Sequence, residues 1–255
     1  MVAMGEQRDT KLRIGTSGWS YRSWKDGFYE GVPQRRWLEH CARHFTGIEV
    51  NATFYRQQQR KTLAKWRDQT PPDFAFAVKG HRFITHVRRL EDAEEPLARG
   101  REALAPLEDK LEAVLWQLPP NLEAERERLD RFARDLAAWP EPHHVVEFRH
   151  ESWLTEKTRE LLDDRGVGTC ISDAPRWPMW EVVTGGIAYV RLHGHEKLYA
   201  SRYGEEGLKP WAERVRAWRR EGHDVHVYFD NDAEGAAPED AQTLIAMLDG
   251  KADTS

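Results

Sequence analysis

Eight short strand-like runs, most of them followed by a segment of helical periodicity, restrict the fold of this chain more than any other feature. They are "RIGTSGW", "GIEVNATFY", "FAFAVKG", "EAVLWQLPP", "HVVEFR", "VGTCISDA", "IAYVRLHG" and "DVHVYFDND". Strands alternating with helices favour a parallel sheet, and eight such units in 255 residues suit a closed (β/α)8 TIM-type barrel better than an open doubly wound sheet. The Rossmann alternative lacks a G-x-G-x-x-G after the first strand, where "GTSGWS" stands. One barrel domain is expected over residues 1–255, with a core from about 12 to 248 and flexible ends.

The intervening segments are amphipathic. Pro33 suits a first helical turn, and Trp37, Leu38, Cys41 and Phe45 then share a face. Leu122, Leu129, Phe132, Ala133 and Leu136 form the stripe after the fourth run, and Leu154, Leu161 and Leu162, capped by Gly166, the stripe after the fifth. Trp211, Val215 and Trp218 follow the seventh and stop near Gly222. The last helix is expected from Pro238, with Glu239 and Asp240 in its first turn and Leu244, Ile245 and Leu248 buried. Pro175 and Pro178 allow only a short turn after the sixth run.

Composition narrows the class. Hydrophobic residues are 40% and charged residues 32%, with no run of about 18 apolar residues, so no membrane span is expected. The polar start lacks a signal core, which makes the cytoplasm the default expectation. Cys41 and Cys170 are far apart in apolar surroundings and read as reduced core residues. A net charge of -5 argues against wholesale wrapping of nucleic acid. Most of the eleven tryptophans are expected in the core.

Side chains alternate along a strand, so one parity faces the bore and the other the helices. Setting Glu147 inward sets Val145 and Arg149 inward and turns Val146 and Phe148 outward. The same rule points Glu49 and Asn51, then Ala75, Ala77 and Lys79, then Leu115 and Gln117 into the barrel. Tyr189, Arg191 and His193 line the seventh strand, and His226, Tyr228 and Asp230 the eighth. Each inward series becomes polar toward its carboxyl end, where barrel sites form. The predicted result is a ring in which Glu49, Glu147 and Asp230 face Lys79, Arg149 and Arg191, with His193 as its imidazole. Polar and aromatic residues continue into the loops at Trp19, Tyr21, Asn51, Tyr55, Trp153, Asp173 and Asn231.

"RIGTSGWSY", "FTGIEVNATFYR", "FAFAVKGHRFITH", "LWQLPP", "VVEFRHESW", "YVRLHG" and "VYFDND", in this order and spacing, resemble the YecE-like family, domain of unknown function 72. The resemblance runs from about residue 12 to 248 and implies a TIM-type barrel in a soluble, mostly prokaryotic protein, without implying a reaction. The chain departs from the family pattern at Glu112 and Ala113, where relatives often carry Gly-Pro, and at Asp230, where many carry asparagine.

These residues lead to an enzyme that holds a small polar, sugar-like or anionic molecule and transfers protons with a carboxylate and His193. Glu147 is the first candidate acid or base, because its apolar neighbours should raise its pKa, and Glu49 is the second carboxylate. The pair also suits glycoside cleavage. Lys79, Arg149 and Arg191 would clamp anionic oxygens, while Trp19, Tyr21, Tyr55 and Trp153 would stack on a ring. No cofactor is required. A divalent-metal hydrolase similar to endonuclease IV barrels is an alternative, with Glu49, Glu147, Asp173, His193 and Asp230 as ligand types, but the three cations would compete with the metal. "HGH" is a weak ligand pair. A third reading is a nucleic-acid or partner-binding module, from Lys79, His81, Arg82, His86, Arg88 and Arg89 with Arg56, Arg60 and Lys61. Ser17 is not set in a G-x-S-x-G elbow and reads as a residue permitting close backbone approach.

Overall fold

The computed structural model describes residues 9–250, and all eight runs form strands. These are β1 (Leu12–Thr16), β2 (Gly47–Val50), β3 (Ala75–Lys79), β4 (Leu111–Gln117), β5 (His143–Glu147), β6 (Gly168–Asp173), β7 (Ile187–Leu192) and β8 (Asp224–Phe229). They lie parallel in the order β1-β8-β7-β6-β5-β4-β3-β2. The seam between β1 and β2 is held by a parallel bridge from Ser17 to Glu49, with Gly18 N donating to Glu49 O at 2.8 Å and Thr46 N to Ile14 O at 3.1 Å. The barrel is therefore nearly closed. The ends expected to be flexible lie at residues 1–8 and 251–255, outside those described.

Helices α1 (Trp37–His44), α2 (Ala52–Tyr55), α3 (Arg60–Asp68), α4 (Glu94–Leu104), α5 (Arg126–Leu136), α6 (Glu156–Asp164), α7 (Gly204–Arg220) and α8 (Ala236–Asp249) flank the sheet. Between β6 and β7 the described chain has no helix, as Pro175 and Pro178 require. Three stripe residues lie outside their predicted helices: Phe45 caps α1 in extended geometry, and the other two come before theirs. Leu122 sits in the turn before α5, and Leu154 precedes α6, whose N-cap is Thr155, with its hydroxyl accepting from Thr158 N. Gly166 follows α6 at φ 66°, the left-handed geometry expected of the cap. The last helix starts two residues before Pro238, and Asp240 is buried within it. Its carboxylate accepts from the Tyr203 and Gly204 N–H groups, both at 3.0 Å, and so satisfies the start of α7. No helix among the described residues is long and apolar enough to cross a membrane.

Strand parity divides the interior into two cores. Inside the bore, Ala77, Ala113, Leu115, Val145, Cys170, Ile187, Tyr189 and Tyr228 pack together, small residues on β3 and β4 making room for the two tyrosines. Val78, Val146, Phe148, Ile171, Val190 and Phe229 join the helices in the outer core. Both cysteines are free and buried.

Candidate functional site

Arg191 enters the carboxyl end of the bore from β7 and is 2% exposed. A buried guanidinium is tolerable only if its donors are met by anions or other acceptors. Here its Nε and Nη2 donate to Glu49 of β2 at 3.0 and 2.9 Å. Nη1 donates to Glu147 of β5 at 3.2 Å, and Nη2 also donates to Asp230, just past β8, at 2.9 Å. One side chain thereby ties together carboxylates from three strands. The Tyr189 hydroxyl donates to Glu49 at 2.6 Å, and the Ser17 hydroxyl donates to the other carboxylate oxygen. Glu147 accepts from Gln117 at 2.8 Å and from Ser172 at 3.1 Å.

His193 occupies the next inward position on the chain. Its Nε2 lies 3.1 Å from Arg191 Nη1, and its Nδ1 faces the other way. That nitrogen is 2.9 Å from Asp230 Oδ2 yet off the line of a hydrogen bond.

Two cations are less engaged. Lys79 is 8% exposed, and its Nζ makes no hydrogen bond or ion pair with any described residue; it lies over the Phe54 ring, 4.3 Å from the centroid. Burial and the neighbouring Arg191 charge lower its pKa from the ordinary lysine value, against the opposing pull of Glu147, Glu49 and Asp230. Arg149 makes a long 3.4 Å contact with Glu147 and stacks its guanidinium under Trp177, 3.3 Å from the ring centroid. Trp177 also meets His193 edge-on at 4.6 Å, and Tyr199 stands 5.7 Å from the same imidazole. The segments between β6 and β7 and between β7 and α7 therefore cover this side of the mouth. Asn51 adds a buried Oδ1 without a partner.

The expected rise in the Glu147 pKa does not occur. Burial does push the carboxyl up, but Arg191, Arg149, His193 and Lys79 together outweigh it and bring it down to about 2. Apolar neighbours in sequence were a poor guide because the charges that matter come from other strands. Burial likewise opposes the Asp230 charge, and Arg191 and His193 again hold that carboxyl below its usual range.

Several loop residues take other roles. Trp153 is 1% exposed, stacks on Phe148 at 5.2 Å and donates its indole N–H to Leu122 O at 2.7 Å, so it packs the outer core and offers no ligand face. Asn231 donates to Ser201 O at 3.0 Å and to Asp240 at 2.8 Å, anchoring the segment after β7. Asp173 turns from the ring around Arg191 and meets His195 at 3.4 Å; its inward neighbour Ser172 takes the place at Glu147. His195 is 76% exposed while His193 is fully buried, so the two do not form a ligand pair. Trp19 packs edge-on to Trp66 at 4.9 Å, and Tyr21 donates to Ser17 O at 2.5 Å, bracing the end of β1. Tyr55 is 69% exposed on the rim. Ser17, Ser172, Tyr189 and Trp177 were absent from the expected set. Parity points to Ser172 and Tyr189, whereas nothing local distinguishes Trp177 from a core tryptophan.

An apolar cleft of about 330 Å³ lies outside the bore, among Leu63, Val78, Leu104, Val114, Trp116 and Trp139. Gly80 permits part of this geometry, since a Cβ there would fall 2.3 Å from the Trp116 ring. The convergent charges lie instead at the barrel mouth.

A family model described as protein of unknown function DUF72 matches residues 13–255. The chain is 25% identical to the UPF0759 protein YunF of Bacillus subtilis, over 93% of this chain and 95% of that protein. A DUF72 family protein from Thermotoga maritima superposes with a TM-score of 0.84 at 29% identity, covering 94% of this chain and 99% of the other. Endonuclease IV from Thermus thermophilus gives a TM-score of 0.50 at 12% identity, over 86% and 97% of the two chains, a likeness of fold alone.

Proposed function

The chain belongs to the DUF72 family, and from that premise we propose that it is an enzyme that holds a small polar anion at the barrel mouth and moves a proton there with His193, beside the ionised Asp230 carboxylate. The observation that carries this reading is Lys79, a largely buried side chain whose ammonium tip keeps some exposure and is joined to no described hydrogen-bond acceptor. An ammonium that rests on the Phe54 ring in a largely desolvated mouth has N–H donors left over, and an anionic ligand would supply acceptors for them. Arg149, held flat by Trp177, has further N–H groups to offer, and the unpartnered Asn51 Oδ1 suits a ligand hydroxyl or N–H donor.

Glu49 and Glu147 serve in this scheme as fixed counter-charges that orient Arg191. A carboxyl brought down to about 2 is a poor proton carrier at neutral pH, which weighs against a glycosidase pair containing Glu147. The same geometry weighs against the metal hydrolase: Arg191 already takes Glu49, Glu147 and Asp230, and among the described residues no group of three or more His, Cys, Asp or Glu converges as a ligand set.

Thermal unfolding of the intact chain tests the proposal with glucose 6-phosphate, citrate, manganese chloride and a short oligonucleotide as separate additives. A ligand selective for the folded state stabilises it by about 2.7 kcal/mol at one hundred times its Kd. The expected result is stabilisation by one of the small anions, lost in Lys79→Met; stabilisation only by manganese would overturn it. A second reading, a nucleic-acid or partner surface beside the mouth, is supported by exposed Tyr55, Phe83 and Val87 among Arg56, Arg82 and Arg88. Oligonucleotide binding that falls steeply with salt and survives Lys79→Met would favour it.

A further inference from the structure

Lys79 ends β3, so its side chain shares the mouth with residues from four other strands. Arg191, Glu147, Glu49 and Asp230 all influence it electrostatically, and its own charge is felt by His86 in the segment that follows β3. Its flank is the apolar face of Phe54, and no described acceptor holds its Nζ. An amine whose only function was to balance the carboxylates would be hydrogen-bonded to one of them, as Arg191 is to three. Desolvation beside a second cation is a setting in which lysine becomes a nucleophile, because it eases release of the ammonium proton.

We propose that Lys79 is a nucleophilic amine that captures the carbonyl carbon of a small keto or aldehyde acid as an imine. The inference rests on the anion-binding reading of the mouth and assigns the substrate class: a carboxylate for Arg149 and a carbonyl within reach of Lys79. In the addition step the Nζ lone pair forms a bond to carbon, the carbonyl π pair moves to oxygen, and one proton passes from nitrogen to that oxygen. The carbinolamine then loses its hydroxyl with a proton as one water, and nitrogen gives up its remaining proton. Amine and carbonyl thus become imine and water, with no oxidant or reductant needed.

Reductive trapping tests it on the intact chain. Glyoxylate with limiting sodium cyanoborohydride at neutral pH converts an imine to a stable secondary amine, and peptide mass spectrometry locates the adduct. Lys79 is expected to be alkylated at least about tenfold faster than the exposed Lys25, Lys61 and Lys157. Lys79→Arg keeps the charge and removes that adduct alone. Alkylation of Lys79 no faster than at the exposed lysines overturns the proposal; this ratio is read in the unmodified sequence and does not depend on any variant folding. Glycolate separates the two readings, since it has the carboxylate without the carbonyl. If glycolate raises the melting temperature while no adduct forms at Lys79, the anion site stands and the imine falls. If there is neither stabilisation nor adduct, both fall.

Discussion

The two ends of the barrel both bury charge, and they treat it differently. At the amino end, Glu112 accepts from Lys11 Nζ at 2.9 Å and from Arg13 Nε and Nη2 at 2.8 and 2.7 Å. Asp224 accepts from Lys11 N at 2.9 Å and faces His143 Nε2 at 3.0 Å. His226 contacts the Tyr228 hydroxyl at 3.1 Å, with its Nε2 3.6 Å from Glu112. The acids of that end are met directly by Lys11, Arg13 and His143, while His226 Nε2 is buried without a hydrogen bond to any described residue. At the carboxyl end Arg191 satisfies the carboxylates, while Lys79 meets the Phe54 ring but no hydrogen-bond acceptor among the described residues, and Arg149 reaches Glu147 only at 3.4 Å. Formal charges nearly cancel at either end, so the sum of charges does not separate a structural network from a binding site. What differs is the kind of group left over: a cationic N–H donor on Lys79 at the carboxyl end, against His226 Nε2 at the amino end, on a ring that burial holds neutral.

The largest effect that can break this comparison is loss of the hub. Arg191→Met should cost about 3–5 kcal/mol in urea unfolding, since it strands three carboxylates in a buried site. A change below about 1 kcal/mol would show that water already solvates them. Glu112→Gln, at the amino end, should cost about 2 kcal/mol, because it weakens charge-assisted bonds from Lys11 and Arg13 in a partly exposed setting. If its cost equals that of Arg191→Met, the two ends are energetically alike.

Acid unfolding sharpens the contrast. Burial holds His226 neutral, with its pKa lowered from 6.5 to about 3, so below pH 6.5 the unfolded chain binds a proton that the folded chain refuses. The stability tied to His226 is complete above pH 6.5 and drains away as pH falls toward 3; His144, lowered by burial to about 4, adds to the same window. Glu147 acts later: its stabilisation is complete above the ordinary 4.5 and is lost as pH falls toward 2. His226→Gln should therefore flatten the stability profile between about pH 6.5 and 3, and Glu147→Gln only the limb below 4.5, measured by urea midpoints at stepped pH. Identical profiles for the two variants would contradict the assignment.

The smallest stability change is expected for Lys79→Met, less than about 1 kcal/mol, because it breaks no hydrogen bond. Small-anion binding should nonetheless disappear. A large loss of stability from this single change would place Lys79 among the structural ions of the network.

Asp230 shows how far local reading reaches. Its inward parity was legible, and so was its departure from the asparagine common among relatives. That it lies 2.9 Å from both Arg191 Nη2 and His193 Nδ1 was not, because these partners come from the neighbouring strand and depend on side-chain conformation. Trp153 and Trp177 make the same point in opposite directions. The first sits in a motif full of charge and packs the outer core; the second lies in a proline-rich connection and covers Arg149.

Sequence alone determined the eight strands, the face each presents and the drift toward polarity at their carboxyl ends, since alternation and helical periodicity are properties of a few consecutive residues. Only the tertiary structure decided that Arg191 binds Glu49 across 142 positions and Glu147 across 44, leaving Lys79 Nζ over the Phe54 ring with no hydrogen-bond acceptor among the described residues. Barrel closure sets those distances, and with them the balance between burial and neighbouring charge that brings the Glu147 carboxyl to about 2.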